Sequence, residues 1–468
     1  MSPWDLRPDV PPLRGARATV MGLGLFGGGA GAVRFLAARG ARVTVTDLRT
    51  ADQLRESISA LDGLPVEFHL GGHREEDFTG ADLVLVNPAV PPDSPWLRLA
   101  KSLDTEMNLF FKLCRARTIV GITGSNGKTT TTALIGEIVK KGPRPAWVGG
   151  NIGAPLLERV DEIGPEDLVV LELSSFQLEH LDAIARSPHV AVVMNLTPNH
   201  LDRHGTMENY AAAKRAIVAH QSATDWKVLN ADDPLVAAFD SPSRPVWFSR
   251  IGPADVVARD SGLEWSLLGA SGTFDVSARR LPGGFNLQNM AAAAAASRLA
   301  APEWTGWEEA AREALVSFPG VEHRLEYVGE VRGVKYYNDS IATNPESTLA
   351  ALDTLPGPFV LIAGGYDKKL PFDALGRKVA ERVRVAVLLG ETAEAIARAI
   401  GEGPVEVRRA PSFDEAVGLA RASARPGETV LLSPACASYD MFRNFAERGR
   451  RFKELVAATQ PDSPTAKS

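Results

Sequence analysis

Cysteine is nearly absent from this chain: Cys114 and Cys436 are the only two, and they lie far apart. Two distant thiols make no disulfide framework and fit a reducing compartment. Long hydrophobic runs are missing as well, since no apolar stretch approaches the ~20 residues that a membrane-spanning helix needs. The opening residues, MSPWDLRPDVPPLRG, lack the basic and apolar regions of a secretion signal. Nor is there an excess of positive charge: 51 Lys and Arg stand against 57 Asp and Glu, a formal net charge of -6, and no local basic patch offers a footprint for nucleic acid. These absences argue against an exported, membrane-inserted or nucleic-acid-binding protein and predict a cytoplasmic one.

What is present is material for several cores. Apolar residues make up 45% of the chain, and at ~150 residues per domain its 468 residues predict three. The most informative stretch is Ile122 to Thr130, ITGSNGKTT. The strict phosphate-loop pattern G-x-x-x-x-G-K-[ST] needs a glycine where Ile122 stands, so a literal match fails. The physics survives: TIVGI (118–122) reads as a buried strand, and Thr129 onward has helical spacing. Gly124 and Gly127 let backbone amides face inward around Asn126. Lys128 offers a point charge to phosphate oxygens, and the hydroxyls of Thr129 and Thr130 open the helix, that of Thr129 suited to Mg2+.

A second glycine pattern lies upstream. RATVM (17–21) reads as a strand, and GLGLFG places Gly22, Gly24 and Gly27 in G-x-G-x-x-G order around Leu25 and Phe26. A helix closed by Gly40 and a strand ending at Asp47 come next, with the acid about 20 residues beyond the last glycine, where it can meet a ribose hydroxyl. Alone this suggests NAD, but the same geometry cradles any ribose diphosphate. Strands at 66–70 and 82–87, the latter ending at Asn87, complete an α/β unit.

Beyond the phosphate loop, Trp147 to Gly153 reads as a glycine-rich turn presenting the Asn151 amide to a ligand. DLVVLEL (167–173) is a near-continuous apolar run, hence a buried parallel strand. Glu172 inside it requires a metal or cation partner. Ser174, Ser175 and Gln177 extend its polar end. The strand 189–194 runs into NLTPNHLDRHG, which gathers Asn195, Asn199, His200, Asp202 and His204 in one loop suited to phosphate-bound Mg2+. Periodicity assigns Lys214 and Arg215 to a solvent face of the helix 210–219. Segment 249–280 suggests an antiparallel excursion, and the alanine-rich run after Met290 a helix that Asn286 and Asn289 can cap. From about Pro319 the strand–loop–helix alternation resumes, predicting a further doubly wound sheet with polar loops at one edge.

In chain order, TGSNGKTT, GGNIG, LELSSFQLE, NLTPNHLDRHG, AAAKRAI, EHRLEY, YYNDSIATNPEST, GGYDKK and LSPACASYDMFRNFAERGRRF resemble the Mur ligase family. The likeness covers nearly the whole chain. Its last motifs are most similar to the member that joins D-glutamate to UDP-N-acetylmuramoyl-L-alanine in peptidoglycan precursor synthesis. The resemblance implies an α/β protein of three domains: a Rossmann-like UDP-binding domain (1–112), a central P-loop ATPase-type parallel sheet (113–318) and a Rossmann-like C-terminal domain for glutamate and ATP (319–468). It implies ATP and a pair of Mg2+ ions as cofactors, and a monomer that takes UDP-N-acetylmuramoyl-L-alanine and D-glutamate.

The resemblance also implies residue roles. Lys128 holds phosphates; Thr129 and Glu172 bind one Mg2+ and His200 a second. The lysine matching Lys214 is carbamylated in the family, which makes it a metal-binding anion and reverses the solvent-face reading. Asn289 matches a position near adenine, Arg324 and Asp339 positions near the ATP phosphates and ribose. Gly22, Gly24, Leu25, Phe26, Asp47 and Asn87 belong to the UDP end of the substrate, Asn151 and Ser174 to its muramoyl end. Thr343, Lys368, Ser438 and Phe445 match the glutamate pocket. Ile341 departs from the family's D-S-K-A-T-N motif and removes a cation, so the same chemistry with L-glutamate or another acceptor stays open. Folylpolyglutamate synthase shares the loop but needs no UDP-binding unit. An ATP-driven conformational switch is the reading from another class, and it requires ATP turnover without co-substrates.

Overall fold

Short apolar runs closed by glycine or a polar residue become the strands of three sheets. The computed structural model describes residues 10, 12–24, 27–151, 155–198, 201–281, 283–355, 357–367 and 370–458. Leu25, Phe26, Asn199, His200 and Lys368 lie outside them. The described residues divide into two compact units, one within 1–278 and 284–316, the other within 279–283 and 317–468.

The first unit holds two sheets. One comprises β1 (Arg17–Met21), β2 (Arg42–Asp47), β3 (Val66–Leu70), β4 (Leu83–Val86) and β5 (Leu103–Asp104), parallel and ordered β3-β2-β1-β4-β5. The order reverses between β1 and β4, which opens a crevice at their carboxyl ends. The other comprises β6 (Thr118–Thr123), β7 (Ala146–Gly150), β8 (Leu168–Glu172), β9 (Val190–Val193), β10 (Trp226–Asn230), β11 (Arg244–Ser249), β12 (Val256–Ala258), β13 (Gly262–Leu267) and β14 (Ala270–Asp275). Its order is β14-β13-β12-β11-β10-β9-β6-β8-β7. Only β13 and β14 run antiparallel to their neighbours, so the expected excursion begins after β12. β6, which carries the phosphate loop, sits between β8 and β9.

Two local expectations are corrected. Trp147 to Gly150 is not a turn but most of β7, paired in parallel with β8. Glycine serves close approach here, because a Cβ on Gly150 (φ 96°) would stand 2.2 Å from the Glu172 carbonyl oxygen. Asn286 and Asn289 do not cap the alanine-rich helix. It spans Phe285–Ala300 with Gly284 at its N-cap and no side-chain cap bond, so both asparagines lie inside its first turns, buried. Ala291 to Ala296 are fully buried, and the small side chains let this helix pack onto the helix Lys128–Val139 and strands β9 to β13.

The second unit holds β15 (Glu326–Val331), β16 (Val334–Asn338), β17 (Phe359–Gly364), β18 (Val383–Leu389), β19 (Glu406–Arg409) and β20 (Thr429–Leu432), ordered β15-β16-β20-β17-β18-β19. β15 and β16 form an antiparallel hairpin and the remaining pairs are parallel. β17 and β20 are buried throughout, the pattern of strands covered on both faces.

Within the first unit the helix Gly28–Ala38 joins the two sheets. Arg34 donates twice to Glu158, at 2.7 Å each, and a Cβ on Gly31 would meet Pro155 at 2.6 Å. Gly29 approaches its own strand end still more closely, with a Cβ position 2.1 Å from the Leu23 carbonyl oxygen. Helix propensity alone favours alanine over glycine by about 1 kcal/mol. The steric term wins: Gly29→Ala is expected to destabilise the first unit by about 1–3 kcal/mol, read as a lowered thermal midpoint, and a raised midpoint would refute the packing account.

Candidate active site

β6 ends at Thr123, and the chain enters the helix Lys128–Val139 through Gly124 (φ 150°), Ser125, Asn126 and Gly127 (φ 83°). Both glycines are sterically required. A Cβ on Gly124 would lie 2.8 Å from the Met194 Cβ, and one on Gly127 would lie 2.4 Å from the Asn289 Oδ1. The buried Asn289 therefore packs against the phosphate loop, while its Nδ2 donates to the Asn286 Oδ1 at 2.7 Å. Lys128 Nζ donates to the carbonyls of Gly124 (2.8 Å) and Ser125 (2.9 Å), folded over the loop it belongs to. Thr129 is buried in the first turn, and Thr130 is half-buried beside it.

Glu172 closes β8, next to β6. Its side chain is 2% exposed. Asn151 donates its Nδ2 to Oε1 at 3.0 Å, so the Asn151 amide reaches Glu172, whose Oε2 is buried with no hydrogen-bond partner among the described residues. Ser174 is committed locally: its hydroxyl accepts from the Gln177 N–H and donates to Gln177 Oε1, a capping box that starts the helix Ser175–Ala183.

The solvent-face reading fails for Lys214 and holds for Arg215, which is exposed. Lys214 is 2% exposed, and its Nζ donates to the Thr123 Oγ1 at 3.2 Å. Burial holds the ammonium well below the usual lysine range, and the nearby charge of Lys128 lowers it further, against a raising influence of Glu172. Two amines and one incompletely satisfied carboxylate thus gather where β6 and β8 end. His204 is structural, held between the Ser175 hydroxyl (3.0 Å) and the ring of Phe176.

At the edge of the first sheet, Gly22 (φ 86°) has no room for a Cβ, which would lie 2.9 Å from the Cβ of Asn87. Asn87 donates to the Gly22 carbonyl at 3.2 Å, and the Gly24 N–H donates to the buried Asp47 at 3.4 Å. The structure brings Gly22, Gly24, Asp47 and Asn87 together at the β1/β4 crevice.

In the second unit Arg324 is exposed, whereas Asp339 is buried at the end of β16. Asp339 accepts from Ser433 Oγ (2.8 Å) and the Leu325 N–H (3.2 Å), yet burial pushes its carboxyl up to about 7. Ser438 is buried with its hydroxyl unsatisfied among the described residues. Thr343 is half-buried past β16, and Phe445 begins the helix Phe445–Ala457. The arginine within NFAERG was missed by sequence reasoning. Arg448 is buried and donates to Ser340 Oγ (3.0 Å), the Ser340 carbonyl (2.9 Å) and the Cys436 carbonyl (3.1 Å). It ties the loop of Asp339 and Thr343 to that of Ser438. Its spacing three residues after Phe445 on one helix was the available signal.

The chain matches the Mur ligase MurD-like N-terminal domain over residues 16–108, the Mur ligase middle domain over 122–297 and the Mur ligase glutamate ligase domain over 323–436. A protein of Symbiobacterium thermophilum named UDP-N-acetylmuramoylalanine--D-glutamate ligase is 47% identical over 94% of this chain and 98% of its own. This chain belongs to the Mur ligase family. A Roseiflexus protein of the same name is 46% identical over 95% of this chain and 99% of its own. Among solved Mur ligases, the UDP-N-acetylmuramate-alanine ligase MurC of Thermotoga maritima superposes with TM-score 0.57 at 18% identity, over 95% of this chain and 100% of that one. The MurF ligase of the same organism, solved with ADP, gives 0.55 at 19%, over 96% and 99%. At such identity these two establish the fold alone. The Mur ligase assignment makes the chain an ATP-dependent ligase of peptidoglycan synthesis with three α/β domains.

The buried acid of this Mur ligase has a measurable consequence. The folded-state pKa of Asp339, about 7, lies above its ordinary 3.8. Between those values the native state keeps a proton that the unfolded chain has released, so stability falls as pH rises through that window. The loss is on the order of a few kcal/mol. Asp339→Asn should flatten the dependence of the second unit's unfolding midpoint between pH 4 and 7, and an unchanged slope would contradict the account.

Proposed function

We propose that this ligase adds D-glutamate to UDP-N-acetylmuramoyl-L-alanine at the expense of ATP, as a cytoplasmic monomer. The observation that carries the ATP half is the cluster of Lys128, Glu172 and Lys214 around the end of β6, with one Glu172 oxygen buried and unsatisfied. The glutamate half rests on the relatives' names. In this reading residues 1–112 hold the UDP end through Gly22, Gly24, Leu25, Phe26, Asp47 and Asn87; 113–318 hold ATP and the muramoyl end; and 319–468 hold glutamate through Thr343, Lys368, Ser438 and Phe445.

A carboxylate is a poor electrophile. The γ-phosphoryl group of ATP therefore passes to an oxygen of the alanine carboxylate, the bond to the β-phosphate oxygen breaks, and ADP leaves. The glutamate nitrogen then attacks the acyl carbon, loses a proton, and expels inorganic phosphate as the amide forms. Both steps crowd anionic oxygens, so the protein's work is positioning and charge neutralisation. Lys128 lies within the loop's own carbonyl cage and exchanges those contacts for the β and γ oxygens. Asn289, which packs on Gly127, serves the adenine end by the family resemblance, and Arg324 and Asp339 serve the phosphate and ribose side.

The donor set fits a hard divalent cation at one place, where the Glu172 Oε2 and the Thr129 hydroxyl would hold one Mg2+; the family resemblance alone assigns His200 to a second. Bound there, Mg2+ would neutralise bridging phosphate oxygens. The amine of Lys214 opposes such a cation unless its charge changes. Burial favours the neutral amine, whose lone pair can add to carbon dioxide; the nitrogen loses a proton and the side chain ends as a carbamate anion. Asn151 orients Glu172 through its amide.

Phosphate release with Mg2+ and ATP tests the whole reading when UDP-N-acetylmuramoyl-L-alanine and D-glutamate are supplied singly, together, and with L-glutamate replacing D-glutamate. Release only with both co-substrates and the D form is expected. A preference for L-glutamate would reassign the acceptor around Ile341, and release from ATP alone would favour a conformational switch. Lys128→Ala should lower the rate by at least about a hundredfold without unfolding the protein. Lys214→Ala should lose activity that small carboxylate anions partly restore, whereas full activity without them would remove the carbamate.

A further inference from the structure

The segment leaving β9, Asn195-Leu196-Thr197, touches no reacting group in the proposed ligation, yet it grips the phosphate loop. Asn195 Oδ1 accepts from the Asn126 N–H at 2.8 Å, and Asn195 Nδ2 donates to the Asn126 carbonyl at 3.1 Å. One carboxamide thus takes both backbone polar groups of a single loop residue. The Asn195 carbonyl accepts from the Ser125 N–H at 2.8 Å, and the Thr197 N–H donates to Ser125 Oγ at 2.9 Å. The segment is itself fixed from the next strand. The Leu196 N–H donates to Asp233 Oδ2 at 2.7 Å, and Asn230 Nδ2 donates to the Met194 carbonyl at 2.8 Å.

These contacts bear on the ligand because Asn126 is the last residue before the glycine that turns into the helix. Gly127 stands at φ 83°, where a glycine peptide reorients readily unless its neighbours are held. The first N–H groups of the helix that starts at Lys128 have no intrahelical acceptor and form the anion-binding end. With both backbone polar groups of Asn126 taken by one carboxamide, that residue is scaffold for the turn at Gly127.

We propose that Asn195 is a positioning residue for ATP: its carboxamide fixes the Asn126 peptide, and with it the Gly127 turn that aims the start of the helix at the phosphates. The inference rests on the reading that this loop holds ATP. A residue needed only for folding would lower stability and weaken both substrates alike; a positioning residue acts on ATP alone.

The test measures calorimetric binding of ATP with Mg2+, and separately of UDP-N-acetylmuramoyl-L-alanine, to the wild-type chain, Asn195→Ala and the near-isosteric Asn195→Leu. ATP affinity is expected to fall about tenfold to a hundredfold in both variants, with the UDP-substrate affinity unchanged and KM for ATP rising more than kcat falls. ATP affinity within about twofold of wild type, or an equal loss for both ligands, would overturn the role. Wild type that fails to bind ATP would instead overturn the reading of the loop. Amide exchange on the wild-type protein gives a second check free of mutation. The Asn126 N–H is expected to be protected before nucleotide is added, and exchange at the free rate would refute the contact.

Discussion

The central constraint in the first unit is steric. The chain must leave β6 and enter the helix Lys128–Val139 through four residues, with no space for a Cβ on Gly124 or Gly127. The space is absent because neighbouring elements use it: Met194 from the end of β9 fills one side and Asn289 of the alanine-rich helix fills the other. Packing that helix so close requires the run of buried alanines. A larger side chain there would separate Asn289 from the loop and loosen the turn at Gly127.

The same device recurs at the other strand ends. Gly22 makes room for Asn87, Gly150 for the backbone of Glu172, and Gly364 and Gly365 for Leu389 and Ala437. In each case glycine brings a polar group from one strand against the next at the carboxyl edge of a parallel sheet, the edge where open α/β folds bind ligands. Compactness there exchanges side-chain volume for convergent backbone.

Charge burial is the second theme. Lys214, Glu172, Asp339 and Arg448 are each almost fully buried, and none sits in a simple one-to-one ion pair. Asp339 is held by a hydroxyl and an N–H, and Arg448 by carbonyls and a serine, with burial pulling its guanidinium down to about 10. Buried charge supported by neutral dipoles is a poor source of stability. It suits groups that meet a charged ligand or that brace loops around one.

Much of this was legible in the sequence. Strand ends at Met21 and Leu70, the turns at Gly22 and Gly124, and the buried Glu172 stem from local patterns whose causes lie within a few residues. Family motifs extended that to the order of three α/β domains. The burial of Lys214 was not legible from periodicity, because an alanine-rich helix shows no clear apolar stripe and which face it buries depends on the strands it meets. Asn289 likewise reads as a helix cap until Gly127 arrives from a distant part of the chain. Arg448 and Asn195 gained their partners from loops remote in sequence. By itself, then, the sequence determined most of the strands, with β7 the exception because its glycines read as a turn, and which chemistry is carried. Only the tertiary structure decided which polar groups face one another, because that depends on strand order, a property of pairings remote in the chain that no local pattern encodes.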